Sequence, residues 1–217
     1  MTVRDETLAT LGRARVIAIL RGDFRESAED VGDALVDGGL RAIEVSLTSS
    51  DALAIIRRLA RRLEGRAVVG AGTVRREEDC RQAADAGARF VISPHTSPKL
   101  LGAARSLGLL SIPGALTPTE VVAALDAGAD AVKFFPAEWV GPDGMASLLA
   151  PLPGVRLLPT GGVTLEHARE YLARGAWAVG VGSPLVGPHV PTAGGLSALG
   201  ARARAFTRAA AEAPPFA

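Results

Sequence analysis

Short apolar runs alternate along the chain with longer stretches in which apolar residues return every three or four positions. Eight runs stand out: Val16 to Leu20, Ala42 to Val45, Ala67 to Val69, Phe90 to Ile92, Leu109 to Ile112, Ala131 to Phe134, Val155 to Leu158 and Ala176 to Val181. Several are rich in Val and Ile, as strands buried on both faces of a parallel sheet tend to be. The stretches between them predict helices. Ser27 to Asp37 has helical spacing, and Ser50 is placed to cap a helix through Ile55, Ile56 and Leu59. Glu77 to Ala86 and Ser97 to Leu107 continue the pattern. Thr117-Pro118-Thr119-Glu120 joins a cap residue, a proline just inside the helix and a glutamate three residues on, a strong helix start. Thr164 opens a helix to about Arg174. Helices end near Gly38/Gly39, Gly87, Gly108, Gly128 and Gly175, where glycine closes a helix C-terminus in the left-handed conformation. Residues 1 to about 13 predict one more helix ahead of the first strand. The tail from Ala213 to Ala217 reads as frayed.

Eight strand-helix units in succession predict a (β/α)8 barrel, the TIM barrel, with an extra N-terminal helix and residues 1–217 as one domain. The rival, an open doubly wound sheet, rarely needs eight strands, and the first strand is not followed by GxGxxG.

Composition narrows the function. The 217 residues are 48% hydrophobic and 22% charged, with a formal net charge of +1. No long run of one sign offers a nucleic-acid or polybasic membrane surface. A single cysteine, Cys80, excludes an internal disulfide and a cysteine-based metal site. In the helical pattern around it, Cys80 reads as inert. No apolar stretch reaches the ~20 residues of a membrane span, and the first residues lack the apolar core of a signal peptide. A soluble cytoplasmic protein with a small-molecule partner is expected.

One residue choice carries chemistry. Of 24 basic residues only Lys99 and Lys133 are lysine, and Lys133 interrupts the apolar run Ala131-Val132-Lys133-Phe134. Arginine stays charged at any accessible pH, whereas a buried lysine can lose its proton and become a nucleophile. Glu44 interrupts the second run in the same way. The bland alternative is a buried structural ion pair. The functional reading is a Schiff-base lysine with a carboxylate acid/base beside it. In a barrel the site lies at the C-terminal ends of the strands, and every run delivers polar or glycine residues there. Arg21 follows the first strand and is able to clamp a carboxylate or phosphate. Thr73 follows the third, as a carboxylate donor or as the cap of the next helix. Thr160-Gly161-Gly162 and Gly180-Val181-Gly182-Ser183 follow the last two strands, where backbone N–H groups often cradle phosphate. His95 ends the fourth strand and reads as a hydrogen-bonding loop residue. His167 and His189 have no ligand-like spacing with it, so neither metal nor cofactor is expected.

The stretches VIAILRG, AIEVSLTS, VGAGTV, FVISPH, IPGALTPTE, VKFFPAEWVGP, LPTGGV and VGVGSPLV, spread over residues 16 to about 186, resemble the class I 2-dehydro-3-deoxy-phosphogluconate (KDPG) / 4-hydroxy-2-oxoglutarate aldolases. The resemblance implies a metal-independent (β/α)8 lyase, usually a homotrimer. Such an enzyme cleaves 2-dehydro-3-deoxy-6-phosphogluconate to pyruvate and glyceraldehyde 3-phosphate. The activity extends to 4-hydroxy-2-oxoglutarate, giving pyruvate and glyoxylate. It also implies roles: Lys133 forms the imine and Glu44 is the acid/base. Arg21 and Thr73 hold the carboxylate, Pro94 and Phe135 shape the pocket, and Thr160 lies near the substrate chain. Gly161, Gly162, Gly182 and Ser183 cradle the phosphate. One departure is plain: where many members carry arginine four residues after the glutamate, this chain has Thr48. ILRG and SSDAL are similar to the 6-phosphogalactonate aldolases, whereas ISPH and FFPAE are nearer the gluconate branch. The alternatives are therefore the galactonate enzyme and a non-catalytic barrel that binds a phosphorylated ligand.

Overall fold

The computed structural model describes residues 2–187 and 192–216, so His189 lies outside the described residues. Helix α1 (Val3–Ala14) precedes the first strand, as expected, and starts from a capping box between Thr2 and Asp5. The strands are β1 (Val16–Leu20), β2 (Ala42–Ser46), β3 (Val68–Gly72), β4 (Phe90–Ile92), β5 (Leu110–Ile112), β6 (Gly114–Ala115), β7 (Val132–Phe134), β8 (Leu157–Pro159) and β9 (Val179–Val181). Their pairings are all parallel, in the orders β5-β4-β3-β2-β1-β9 and β6-β7-β8.

Pro113 separates β5 from β6. It has no N–H to give to a ladder, but its carbonyl accepts the Lys133 N–H at 2.8 Å. Further backbone bonds run between the two sheets. The Asp130 N–H reaches the Ser111 carbonyl at 3.1 Å and the Trp177 N–H reaches the Leu157 carbonyl at 3.0 Å. Thr160 and Gly180 form a parallel bridge. The result is a curled parallel sheet wrapped by helices.

The helices between strands are α2 (Ala28–Asp37), α3 (Ala52–Arg62), α4 (Glu77–Asp85), α5 (Pro98–Ser106), α6 (Pro118–Asp126), α7 (Gly141–Leu149) and α8 (Leu165–Ala173). After β9 come the single turn α9 (Ser183–Val186) and the long α10 (Ala193–Glu212). Thr117, Ser97 and Thr164 cap their helices through side-chain oxygens. Positive φ at Gly39, Gly87, Gly108, Gly128 and Gly175 follows five helix ends, as the C-terminal glycines predicted.

Four local expectations are corrected. Asp51, not Ser50, is the N-cap of α3, in a left-handed conformation without a side-chain cap bond. Arg76 rather than Thr73 precedes α4. Helix α7 forms where none was expected. The tail is not free as far as Phe216: the Arg15 guanidinium donates to the Pro214 carbonyl, and Phe216 packs on the core.

Side chains alternate between two cores. Val16, Ala18, Leu20, Ile43, Val45, Val132 and Phe134 face the helices. Ile17, Ala42, Phe90, Ile92, Leu110, Ala131 and Leu158 fill the concave side, where Leu11 of α1 joins them near the strands' first residues. Because successive strand residues point to opposite faces, the same alternation that turns Ala42 and Ala131 inward turns Glu44 and Lys133 inward too.

Candidate active site

Lys133 is 3% exposed and Glu44 1% exposed, while Lys99 stands on the surface. No hydrogen bond or ion pair joins Lys133 and Glu44 to each other or to other described side chains. Ser27 Oγ is the only fully buried side-chain polar atom without a partner among the described residues, so the Lys133 amine and the Glu44 carboxylate both reach open space. The Lys133 amine sits 4.5 Å from the centroid of the Phe135 ring. Burial pushes the Lys133 pKa down; Glu44 opposes this and Arg21 reinforces it. Burial pushes the Glu44 pKa up, against the pull of Lys133 and Arg21. Each charged form is disfavoured by loss of water, so the amine is drawn toward its neutral, nucleophilic state.

Backbone at β3 makes room for the carboxylate. Gly72 pairs with Ser46, and a methyl group there would stand 1.6 Å from Glu44 Oε1. Glycine at 72 is therefore what lets Glu44 turn inward above β3.

A cavity of about 340 Å³ opens over Lys133, lined by Ile19, Arg21, Phe135, Thr160, the Gly161–Gly162 turn and Gly182–Ser183. Eight of the residues singled out in the sequence thus share one hollow. Arg21 is exposed, and its side chain has no partner among the described residues. Thr160 is buried; its hydroxyl donates to the Leu158 carbonyl at 3.2 Å. Gly161 and Gly162 have φ of 101° and 65°, open to glycine and strained for other residues. His167 Nδ1 lies 3.0 Å from the Gly162 carbonyl, so His167 braces that turn.

Glu44, Thr73 and Pro94 do not line this hollow. Thr73 faces a neighbouring one of about 420 Å³ with Thr48, Ser49 and Arg75. Its φ of 57° is strained for a β-branched residue. The peptides on either side hold it: Leu47 N–H donates to the Gly72 carbonyl at 2.8 Å, and Val74 N–H to the Ile92 carbonyl at 3.1 Å. Pro94 is half-buried at the end of β4, its carbonyl carbon 2.4 Å from where a Gly114 side chain would begin. His95 is exposed beside it. Cys80 is buried in α4, its thiol pushed up to about 11, mainly by burial. A larger hollow of about 630 Å³ lies among Arg57, Arg61, Glu64 and Arg89, but its charged side chains are all exposed.

Sequence reasoning missed the hydroxyls at the end of β2 and in the turn after it. Ser46 Oγ lies 2.8 Å from Thr48 Oγ1 and 2.9 Å from Thr73 Oγ1. Ser49 Oγ accepts the Gly22 N–H at 3.1 Å and donates to the Leu20 carbonyl at 3.4 Å. Neither contact leaves a periodic signal in the sequence.

Comparison with known proteins gives a consistent result. The family model for KDPG and KHG aldolases matches residues 8–200. A probable 2-dehydro-3-deoxy-6-phosphogalactonate aldolase of Rhizobium meliloti (strain 1021) is 39% identical over 197 residues, 90% of each chain. The crystal structure of 2-keto-3-deoxy-6-phospho-gluconate aldolase from Zymomonas mobilis superposes with a TM-score of 0.83 at 35% identity, covering 94% of this chain and 98% of that one. A KDPG aldolase from Legionella pneumophila, in which pyruvate was captured as a covalent carbinolamine, superposes with a TM-score of 0.77 at 28% identity, covering 96% and 98%.

Proposed function

The chain belongs to the KDPG and KHG aldolase family, and from that premise we propose that it is a Schiff-base, metal-independent lyase. Its reaction is cleavage of 2-dehydro-3-deoxy-6-phosphogluconate to pyruvate and glyceraldehyde 3-phosphate, extending to 4-hydroxy-2-oxoglutarate. The observation that carries this reading is Lys133: a buried amine, unpaired among the described residues, opening into a cavity that Arg21 also lines, with the Glu44 charge acting on it.

Neutral Lys133 attacks the C2 ketone, and loss of water gives a protonated imine. Glu44 carries the protons through a bound water and takes the C4 hydroxyl proton. The C3–C4 bond then breaks, and its electrons pass to the imine as an enamine. Glyceraldehyde 3-phosphate leaves; protonation and hydrolysis release pyruvate. Arg21 and Thr73 hold the carboxylate, Phe135 and Pro94 bound the imine, and Thr160 faces the chain. Gly161, Gly162, Gly182 and Ser183 receive the phosphate on backbone N–H groups. Around this site the parallel strands close as a (β/α)8 barrel, β5 and β6 acting as one strand, in a single domain. As the resemblance implies, the working form is a homotrimer in the cytoplasm, with neither nucleic acid nor membrane as partner.

A second reading, the 6-phosphogalactonate aldolase, is favoured by the ILRG and SSDAL stretches. The two substrates differ at one hydroxyl configuration.

The test is incubation with pyruvate and borohydride followed by mass spectrometry. A reduced pyruvyl adduct on the Lys133 peptide and not on the Lys99 peptide is expected. No adduct on folded protein would replace the enzyme reading with a ligand-binding barrel. Rates on the two phosphorylated epimers then decide between the branches.

A further inference from the structure

Among the described residues, Arg21 is the only cation besides Lys133 that lines the cavity, and it stands on a loop rather than a strand. A flexible arginine on a mobile loop recognises a carboxylate poorly, because each binding event must order it. The loop here is pinned from outside. Ser49 lies in the turn after β2, 8% exposed. Its hydroxyl accepts the Gly22 N–H and donates to the Leu20 carbonyl, so the peptide groups on both sides of Arg21 are bonded to one atom. Gly22, with φ of 136°, supplies the bend that lets the chain make both bonds. Ser49 is itself fixed: its N–H donates to the Ser46 carbonyl at 2.9 Å. A serine hydroxyl suits this task because it donates and accepts through a single atom.

We infer that Ser49 is a positioning residue for Arg21. It holds the Leu20-Arg21-Gly22 peptides so that the guanidinium meets the substrate carboxylate while Lys133 meets the adjacent ketone. The inference rests on the aldolase reading and deepens it. In this chain the turn after β2 contributes a clamp on the β1 arginine, and Thr48 contributes no cation of its own. Ser49 touches neither the substrate nor the reacting atoms, so its effect is on binding of the keto acid.

The experiment measures borohydride-trapped adduct on the Lys133 peptide as a function of pyruvate concentration, in the full chain. Pyruvate carries the carboxylate and ketone without the phosphate, so it isolates this end of the site. Ser49→Ala is expected to raise the pyruvate concentration for half-maximal trapping about tenfold and leave the maximal adduct unchanged. Ser49→Thr, which keeps the hydroxyl, is expected to restore it. Arg21→Ala is expected to have at least as large an effect, and adding Ser49→Ala to it should cost nothing more, since residues acting through one another are not additive. A general loss of structure would instead lower the maximum and would add to the Arg21 effect. If Ser49→Ala destabilises the fold, Ser49→Cys gives the same comparison with a weak donor in similar volume. Wild type that traps pyruvate while Ser49→Ala traps it at the same concentrations would overturn the clamp alone. So would additivity with Arg21→Ala. Wild type that takes no adduct would overturn the aldolase reading, and the clamp with it.

Discussion

Burial moves Lys133 down and Glu44 up, and the two shifts have separate consequences for activity and stability. Imine formation needs neutral Lys133, so its rate rises with pH along a limb below the usual lysine value of 10.5. The Glu44 charge raises the Lys133 pKa. Glu44→Gln should therefore move that limb to lower pH, although turnover falls by about 10²–10⁴ as acid/base catalysis is lost. Borohydride trapping across pH reads the limb, and a shift to higher pH would contradict the pairing. Lys133→Arg should lose nearly all turnover, because arginine stays protonated. Stability has the opposite interest. A lysine depressed in the folded state favours folding only above its unfolded pKa, and that contribution is lost as pH falls through the folded value. A carboxylate raised in the folded state favours folding only below its unfolded pKa, and that contribution is lost as pH rises through the folded value. Near neutral pH both groups count against the fold. Lys133→Met combined with Glu44→Leu is expected to stabilise the chain at pH 7 by about 1–4 kcal/mol, on the precedent of buried ionic groups replaced by apolar ones. Urea unfolding measures this, and a less stable double variant would mean that the two charges support the fold.

At the scale of elements, strands and helices differ in how openly the chain states them. Strands such as Val16–Leu20 and helices such as that after Thr117 follow from apolar periodicity and caps. Helix α7 does not, because Gly141, Pro142 and Gly144 mask its period and it forms by packing Met145 and Leu148 inward. Strand β3 runs on through Gly70 and Gly72, past the apolar run from Ala67 to Val69. Those glycines have a contact reason: a side chain at Gly70 would strike the Phe90 ring, and one at Gly72 would strike Glu44. Lys133 and Glu44 were legible because each breaks an apolar run. The hydroxyls of Ser46 and Ser49 were not, because Thr73, Leu20 and Gly22 reach them from the ends of other strands, far away in sequence. The turn after β8 gives a sharper test. Gly162 has φ of 65°, and a methyl group there would meet Glu138 Oε2 at 2.6 Å and Cβ at 2.8 Å. Gly162→Ala therefore forces the turn to shift. The KM for the phosphorylated substrate should rise tenfold or more, about 1.4 kcal/mol, with pyruvate trapping within about twofold of wild type. Equal loss on both would mean that this turn supports the whole site rather than the phosphate.

At the scale of the molecule, eight strand-helix units foretold the order of elements but not how the two parallel sheets are joined. Two joins carry the question. On one side Pro113 interrupts a strand, and the Asp130 N–H crosses to the Ser111 carbonyl. On the other, Thr160 bridges Gly180 and the Trp177 N–H crosses to Leu157. From inside, α1 reinforces the first join: Arg4 Nε donates to Asp130 Oδ1 at 2.9 Å, and Asp130 Oδ2 accepts the Ser111 N–H at 2.8 Å. An open sheet would leave these amides at edges, where local opening is easy and exchange with solvent is fast. A closed barrel has no edges, and its joins open only with the rest of the sheet. Amide hydrogen exchange should therefore find Asp130 and Trp177 protected to within about tenfold of Ile43 and Val69 in the middle of the larger sheet. Asp130→Ala should speed exchange at Ser111 and Asp130 first, because it removes the carboxylate that ties α1 to that join. Fast exchange at both joins in the wild type would leave a curled but open sheet, with Lys133 still on β7, flanked by β6 and β8.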